Sequence, residues 1–174
     1  QDLLREIAIL NSTSAALDWD QETYAPAKAI EFRSKQMAYF AGKVHELKTS
    51  AAFQEGLEDA SLGEANQREL THQFDRATKL PKELVKRASE TSTLAKAAWS
   101  EAREKDDFSL FAPHLSKLLE IAREQADHWG YEDEPYDALL SEYERAAKTR
   151  EMAGLFDSIS QDLAQIAATA VEKS

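Results

Sequence analysis

Eight consecutive residues near the start of the chain, from Leu17 to Tyr24, combine the most varied side-chain chemistry. They carry two aromatic rings, three carboxylates and one amide at a point where a helix is predicted to end. Helix ends expose unpaired carbonyl groups and often hold functional side chains. Trp19, Asp20 and Gln21 are therefore candidates for a functional contact. The alternative, which composition alone favours, is that Trp19 and Tyr24 belong to the core and that the acids are solvated.

The histidines do not form a metal-binding pair on one helix face, because no two of them are three or four residues apart. They are His45, His72, His114 and His128. His45-Glu46 begins like the zinc motif His-Glu-x-x-His, but Thr49 stands where the second histidine is required. We therefore interpret His45 as a surface histidine near a helix end.

A di-iron bundle is a third alternative, and it depends on Glu69 and His72. These two residues form one Glu-x-x-His pair. A di-iron carboxylate bundle needs two such pairs and two further glutamates, so a single pair argues against it. The sequence also contains no Gly-x-Ser-x-Gly elbow, P-loop or dinucleotide fingerprint. We predict no catalytic residue and no metal ligand in this segment.

Composition sets limits on partners and on compartment. The chain has 174 residues, no cysteine and a formal net charge of −11. The absence of cysteine excludes disulfides and thiolate zinc sites and fits a reducing compartment, so we expect a cytoplasmic protein. The negative charge repels phosphate backbones, so neither nucleic acid nor an anionic membrane is an expected partner. The apolar runs are too short to span a bilayer.

Apolar residues recur at helical spacing between few breakers, since only five Gly and four Pro are present. This pattern predicts an all-α fold, a bundle of about seven or eight helices with no β-sheet. Nothing marks an internal boundary, so residues 1–174 are predicted to form a single helical domain. Gln1 already lies inside an apolar stripe, and the last residues contain no stop signal, which suggests a piece of a longer chain.

Cap and breaker residues predict where individual helices begin and end. Pro26 should end the first helix near Tyr24, and Thr49 and Ser50 should cap a short helix. Ser61 and Glu64 have the spacing of a capping box. The other predicted boundaries are Pro81 in a first helical turn, a break at Asp106 and Asp107, a loop at Gly130, and a cap at Thr149. The last helix should turn its apolar residues inward: Met152, Leu155, Phe156, Ile159, Leu163 and Ile166.

Several ordered blocks resemble the front of the carboxypeptidase Taq family of metallocarboxypeptidases. The first block is Leu17-Asp18-Trp19-Asp20-Gln21-Glu22-Thr23-Tyr24, followed by Pro26. The most specific is Arg76-Ala77-Thr78-Lys79-Leu80-Pro81 with Glu83-Leu84. Further blocks are His45-Glu46-Leu47, Ala98-Trp99, Phe111-Ala112-Pro113-His114-Leu115 and Pro135-Tyr136-Asp137-Ala138-Leu139-Leu140. The chain departs from the family pattern at Ala25 and at Arg145-Ala146, where Met and Pro-Gly are expected.

The resemblance implies an almost wholly helical enzyme that removes single residues from peptide C-termini with broad specificity. Its metal, zinc or cobalt, is held by the histidines of a His-Glu-x-x-His helix and a later glutamate. The motif glutamate acts as general base on the metal-bound water, whose pKa the metal lowers. These residues lie beyond the region of resemblance, so none is assigned here. Members of the family are often homodimers.

In this family the front helices wall one side of a long substrate groove. The resemblance therefore implies that this segment walls or caps the groove and is inactive alone. Trp19, Asp20 and Gln21 become the groove candidates. The expected partners are the missing C-terminal catalytic portion and the peptide substrate. The alternative is a freestanding helical protein-interaction module, which should bury its apolar stripes, whereas a severed domain should expose a large apolar face.

Overall fold

The computed structural model describes residues 2–172, and for Ala60 and Glu172 it describes the backbone alone. This part of the chain forms eight α-helices and contains no strand, which confirms the predicted all-α class. In chain order they are α1 (Asp2–Thr23), α2 (Ile30–Lys48), α3 (Ala51–Gly56), α4 (Glu64–Lys79), α5 (Lys82–Lys105), α6 (Ala112–Trp129), α7 (Pro135–Leu140) and α8 (Thr149–Glu172). Single 3₁₀ turns lie at Ala27–Ala29, Ala60–Leu62 and Phe108–Leu110.

The chain divides into two compact units, Gln1–His128 and Trp129–Ser174. The first unit holds α1 to α5 and nearly all of α6, and the second holds α7 and α8. That the whole chain folds as one domain stays a prediction.

Helix α2 is the centre of the first unit and packs against α1, α4 and α5, with its largest contact on α5. Ser34, Ala38 and Gly42 are buried on α2 at a spacing of four residues, which places them on one face. These small residues let α5 come close. A Cβ on Gly42 would lie 3.0 Å from Cγ of Lys86, so even one methyl group would crowd the interface.

Apolar side chains fill the rest of the first unit. The ring of Phe53 on α3 stacks on that of Phe74 on α4, with centroids 6.1 Å apart and planes 9° apart. This contact fixes the short α3 against α4. The buried apolar residues of this unit are Ile7, Ala38, Phe53, Leu84, Ala95, Ala102, Ile121 and Ala126.

Two of the predicted helix starts differ from the structure. Gly63, with φ of 73°, is the N-cap of α4, and Ser61 lies in the preceding 3₁₀ turn. The capping-box prediction is therefore wrong, because the Asp59 carboxylate accepts from the Ser61 N–H at 2.9 Å and draws Ser61 into that turn. Pro81 precedes α5 by one residue instead of occupying its first turn.

Three other boundaries are confirmed. Ser50 caps α3, because its hydroxyl accepts a hydrogen bond from the Phe53 N–H at 3.1 Å. Asp106 takes a left-handed conformation with φ of 50° and ends α5, and the Asp107 carboxylate then accepts from the Ser109 N–H at 2.9 Å. Gly130 has φ of 82° in the loop after α6.

In the second unit, a carboxylate of α7 binds the first residue of α8. Oδ1 of the buried Asp137 accepts hydrogen bonds from both the N–H and the hydroxyl of Thr149, each at 2.8 Å. These bonds lower the pKa of Asp137. The prediction that Thr149 itself caps α8 is wrong, because Thr149 is the first residue of the helix, and the N–H groups of Glu151 and Met152 donate to the carbonyl of Lys148, one residue earlier.

The apolar stripe of α8 is exposed, which contradicts the predicted inward orientation. Phe156 is 61% exposed, Leu163 56% and Ile166 65%, whereas Met152 is partly buried. The amphipathic pattern identified a face that needs a partner, but it did not identify the partner. No helix within residues 2–172 is both long and apolar enough to cross a membrane.

Candidate functional site at the end of α1

The last two turns of α1 carry three carboxylates and no basic residue in the final turn. They belong to Asp18, Asp20 and Glu22. The C-terminal end of a helix is the negative end of its dipole, so each exposed carboxylate in the last turn, here Asp20 and Glu22, costs roughly 0.3–1 kcal/mol. Cations from elsewhere must therefore compensate this helix end.

Lys96 of α5 supplies one of these cations. Its Nζ lies 2.8 Å from Glu22 Oε1 and 3.5 Å from Asp18 Oδ1. The hydrogen bond with Glu22 is the main reason why the pKa of Lys96 is raised. The three side chains are 42–52% exposed, so water screens this bridge.

Arg33 of α2 supplies the second cation, in a less exposed setting. Nη2 lies 2.5 Å from Asp20 Oδ2, and Nη1 donates to the carbonyl oxygen of Leu17. The Arg33 side chain is only 12% exposed, and its Nε is buried without a hydrogen-bond partner. The fork of the guanidinium thus holds both a side chain and a main-chain group of α1.

Gln21 lies between these two attachments on α1 and is partly buried. Its Oε1 is buried without a hydrogen-bond partner in the described structure. An unsatisfied buried acceptor costs about 1–3 kcal/mol.

Trp19 and Tyr24 stand at the surface. Trp19 is 60% exposed and Tyr24 75%, and their rings meet edge to face with centroids 5.5 Å apart. The interpretation that both rings belong to the core is therefore wrong, and the neighbouring acids are ion-paired instead of simply solvated. Whether Trp19, Asp20 and Gln21 contact a peptide stays a prediction.

A cleft of about 720 Å³ opens beside this helix end within the first unit. Its volume lies in the range of roughly 300–1,000 Å³ that is typical of ligand sites. Its walls come from the end of α1, the turn and first residues of α2, the second half of α5 and the start of α6. Lining residues that matter below are Gln21, Glu22, Arg33, Lys96, Ala97 and Ala98.

The family model for carboxypeptidase Taq (M32) metallopeptidases matches residues 1–174 of this chain. The chain belongs to this family. Thermostable carboxypeptidase 1 of Pyrococcus furiosus is 36% identical over 166 residues, which are 91% of this chain and 33% of that protein. This M32 chain thus spans about a third of the length of the relative.

Solved structures agree with this assignment. The crystal structure of BsuCP matches 92% of this M32 chain and 34% of its own, with a TM-score of 0.86 at 28% identity. Metallocarboxypeptidase 1 of Trypanosoma cruzi matches 99% of this chain and 36% of its own, with a TM-score of 0.73 at 26% identity.

The described residues of this M32 chain do not fit the metal that the family implies. Nε2 of His45 is partly buried and lies 3.0 Å from the Ala77 carbonyl oxygen and 2.9 Å from that of Leu80. It therefore ties α2 to the end of α4, and its interpretation as a surface histidine is wrong. Glu46 binds Lys43 and Lys82, which lower its pKa to about 2. Among residues 2–172, no three His, Cys, Asp or Glu side chains are placed to hold a metal.

Sequence reasoning missed Arg33 and Lys96. One signal was available, because an acidic helix end without a basic residue in its last turn predicts that a cation reaches it from another helix. The sequence does not specify which cations do so. Arg33 is 13 residues from Asp20 along the chain, and only the packing of α2 against α1 brings them together.

Proposed function

We propose that this chain is the N-terminal helical portion of a metal-dependent carboxypeptidase that releases C-terminal amino acids from peptides. The carrying observation is that the family model matches residues 1–174 while the chain spans only about a third of its relatives. The names of those relatives, which are carboxypeptidases, support the reaction class.

Within that enzyme, the segment walls or caps the substrate groove and is inactive alone. The cleft beside α1 and the exposed rings of Trp19 and Tyr24 support a role as a wall. The sequence contains no His-Glu-x-x-His motif, which supports inactivity of the isolated segment. Zinc or cobalt would be held by residues of the full-length enzyme outside this chain. The lack of cysteine supports a cytoplasmic location.

The exposed face of α8 docks onto the catalytic portion of the enzyme. Its members Leu155, Phe156, Leu163 and Ile166 are each at least half exposed. A continuous apolar face of this kind usually marks a surface that another protein segment covers. A freestanding interaction module should bury its apolar stripes, so this exposure argues against that alternative, but the same face would serve a homodimer. Sedimentation of the isolated chain with and without the catalytic portion, supplied separately, distinguishes them, since only docking yields a one-to-one complex.

The deciding experiment is to read the encoding gene past the Ser174 codon and to assay the pure chain. A downstream His-Glu-x-x-His motif with a later glutamate supports the proposal. A stop codon after Ser174 would leave the interaction module as the better explanation. Metal-dependent release of a C-terminal residue by the pure 174-residue chain would refute the proposed inactivity.

Gln21→Ala tests the role of the wall in the full-length enzyme. Lower turnover with an unchanged melting temperature supports a contact with the peptide. A lower melting temperature with normal specific activity assigns Gln21 to structure alone. Gln54→Ala, at an exposed position on α3, is a matched control for loss of an amide side chain.

A further inference from the structure

We infer that the cleft beside the end of α1 is the part of the substrate groove that this chain forms, and that Arg33 and Lys96 are the positioning residues that hold its α1 wall. This inference rests on the proposed function. It adds a location for the peptide and two residues that neither the sequence nor the family match indicates.

The charge pattern shows why the α1 wall needs these two residues. The carboxylates of Asp18, Asp20 and Glu22 oppose the negative end of the helix dipole, so this end is weak when left alone. Lys96 holds the side of α1 that faces α5, and Arg33 holds the side that faces α2. Both cations also line the cleft, so the residues that hold α1 in place form part of the cleft wall themselves.

The lining of the cleft suits the main chain of a peptide. Five of the lining residues are alanines, and small side chains leave room for a backbone to lie close. They are Ala25, Ala27, Ala29, Ala97 and Ala98. Gln21 also lines the cleft with its amide side chain. Acidic and basic residues are nearly balanced along the walls, which agrees with a peptide of no particular charge.

The geometry gives Arg33 the larger role of the two. A guanidinium offers donors in a rigid fork, and here two of them hold the Leu17 carbonyl and the Asp20 carboxylate at once. A lysine at this position would keep the charge but could not reproduce both bonds. Arg33→Lys should therefore restore only part of what Arg33→Met removes.

The first experiment measures the wall directly, by amide hydrogen exchange in the 174-residue chain. The N–H groups of Tyr24 and Ala25 both donate to the Asp20 carbonyl at 2.9 Å, so their protection reports the closed helix end. Arg33→Met should lower their protection on the order of tenfold, and Lys96→Met by less. Lys117→Met, which removes an exposed cation from α6, should change neither.

The second experiment uses the full-length enzyme and two substrates, a blocked dipeptide and an octapeptide. Arg33→Met should lower the ratio of kcat/KM for the octapeptide to that for the dipeptide on the order of tenfold, mainly through KM. Arg33→Lys should give an intermediate ratio, and Lys117→Met should leave it unchanged.

The two experiments separate the inference from the proposed function. An equal loss on both peptides would overturn the assignment of the cleft, because it would show general damage. Loss of amide protection with an unchanged ratio would overturn it as well, since the wall would then be held for a purpose other than the peptide. If the unmodified full-length protein releases no C-terminal residue, the proposed function fails, while the exchange result still tests the two positioning residues.

Discussion

The C-terminal end of α1 and the N-terminal end of α8 both carry carboxylates, but the helix dipole acts on them in opposite directions. At α8, Asp137 meets the positive end and accepts two hydrogen bonds from Thr149. At α1, three carboxylates meet the negative end and depend on cations from α2 and α5. Both arrangements need a neighbouring helix, since Asp137 reaches α8 from α7, but the first adds a charge that matches the helix dipole, whereas the second offsets charges that oppose it.

The proposed groove gives a reason for this difference. A basic residue in the last turn of α1 would have matched the dipole without help from other helices. The chain instead keeps a costly acidic end beside a cleft and holds it with Arg33 and Lys96. Functional sites commonly keep such local conflicts and compensate for them elsewhere in the structure.

The largest expected effect is that of Asp20→Ala. It leaves the mostly buried Arg33 guanidinium without its counter-ion, and breaking a fully buried pair costs roughly 3–5 kcal/mol. Because Asp20 is 40% exposed and its removal relieves the dipole by up to about 1 kcal/mol, we expect a net loss of about 1–3 kcal/mol in the free energy of unfolding. Urea denaturation measures this loss.

Asp18→Ala is the matched control at the same helix end. Asp18 is 52% exposed and shares Lys96 with Glu22, so its loss should change stability by less than about 0.5 kcal/mol. If Asp20→Ala and Asp18→Ala lose the same free energy of unfolding, the burial of Arg33 does not determine the loss in Asp20→Ala.

The second prediction concerns the cap of α8. Asp137→Ala removes the acceptor of both Thr149 hydrogen bonds and should lower the melting temperature of α8 by a few degrees. Asp137→Asn keeps an acceptor and should lose less. The chemical shift of the Thr149 amide, measured as temperature rises, reports on this helix end specifically, because that N–H donates to Asp137. Asp133→Ala, at an exposed position in the preceding loop, should have no effect, and a shift there of equal size would point to loop charge instead of the cap.

The third prediction uses pH to test the role of Asp137 at the start of α8. The bonds from Thr149 lower the pKa of Asp137, so the cap stabilises α8 when this group is ionised. That stabilisation is complete above the pKa of an unfolded aspartate, about 3.9, and is lost as pH falls through the lower pKa of the folded state. The Thr149 amide resonance should therefore titrate with a midpoint below about 3.9. A midpoint at or above that value would contradict the capping role.

The sequence predicted the parts of both regions that local chemistry determines. Pro26 follows the end of α1, and Gly130 takes the positive φ that its loop requires. The capping box at Ser61 failed because Asp59, two residues away, competes for the same backbone. The attachment of Arg33 to Asp20 could not be predicted, since it depends on how two helices cross. The partner of the α8 face could not be predicted either, because a stripe shows the need for burial but not its source.

Apart from the control variants, the smallest expected effect is that of Lys96→Met, which also tests how exposed the second attachment of α1 is. Lys96 and its two acidic partners are about half exposed, so its loss should cost only about 0.2–1 kcal/mol. The distance over which salt screens exposed charges shortens from about 10 Å at 0.1 M to about 3 Å at 1 M, so the difference from the unmodified chain should shrink as salt is raised toward 1 M. The loss in Asp20→Ala should persist in the same salt series, because Arg33 is shielded from solvent. Equal salt dependence in the two variants would mean that both attachments are surface pairs, and the end of α1 would then be held more loosely than a wall of a substrate groove requires.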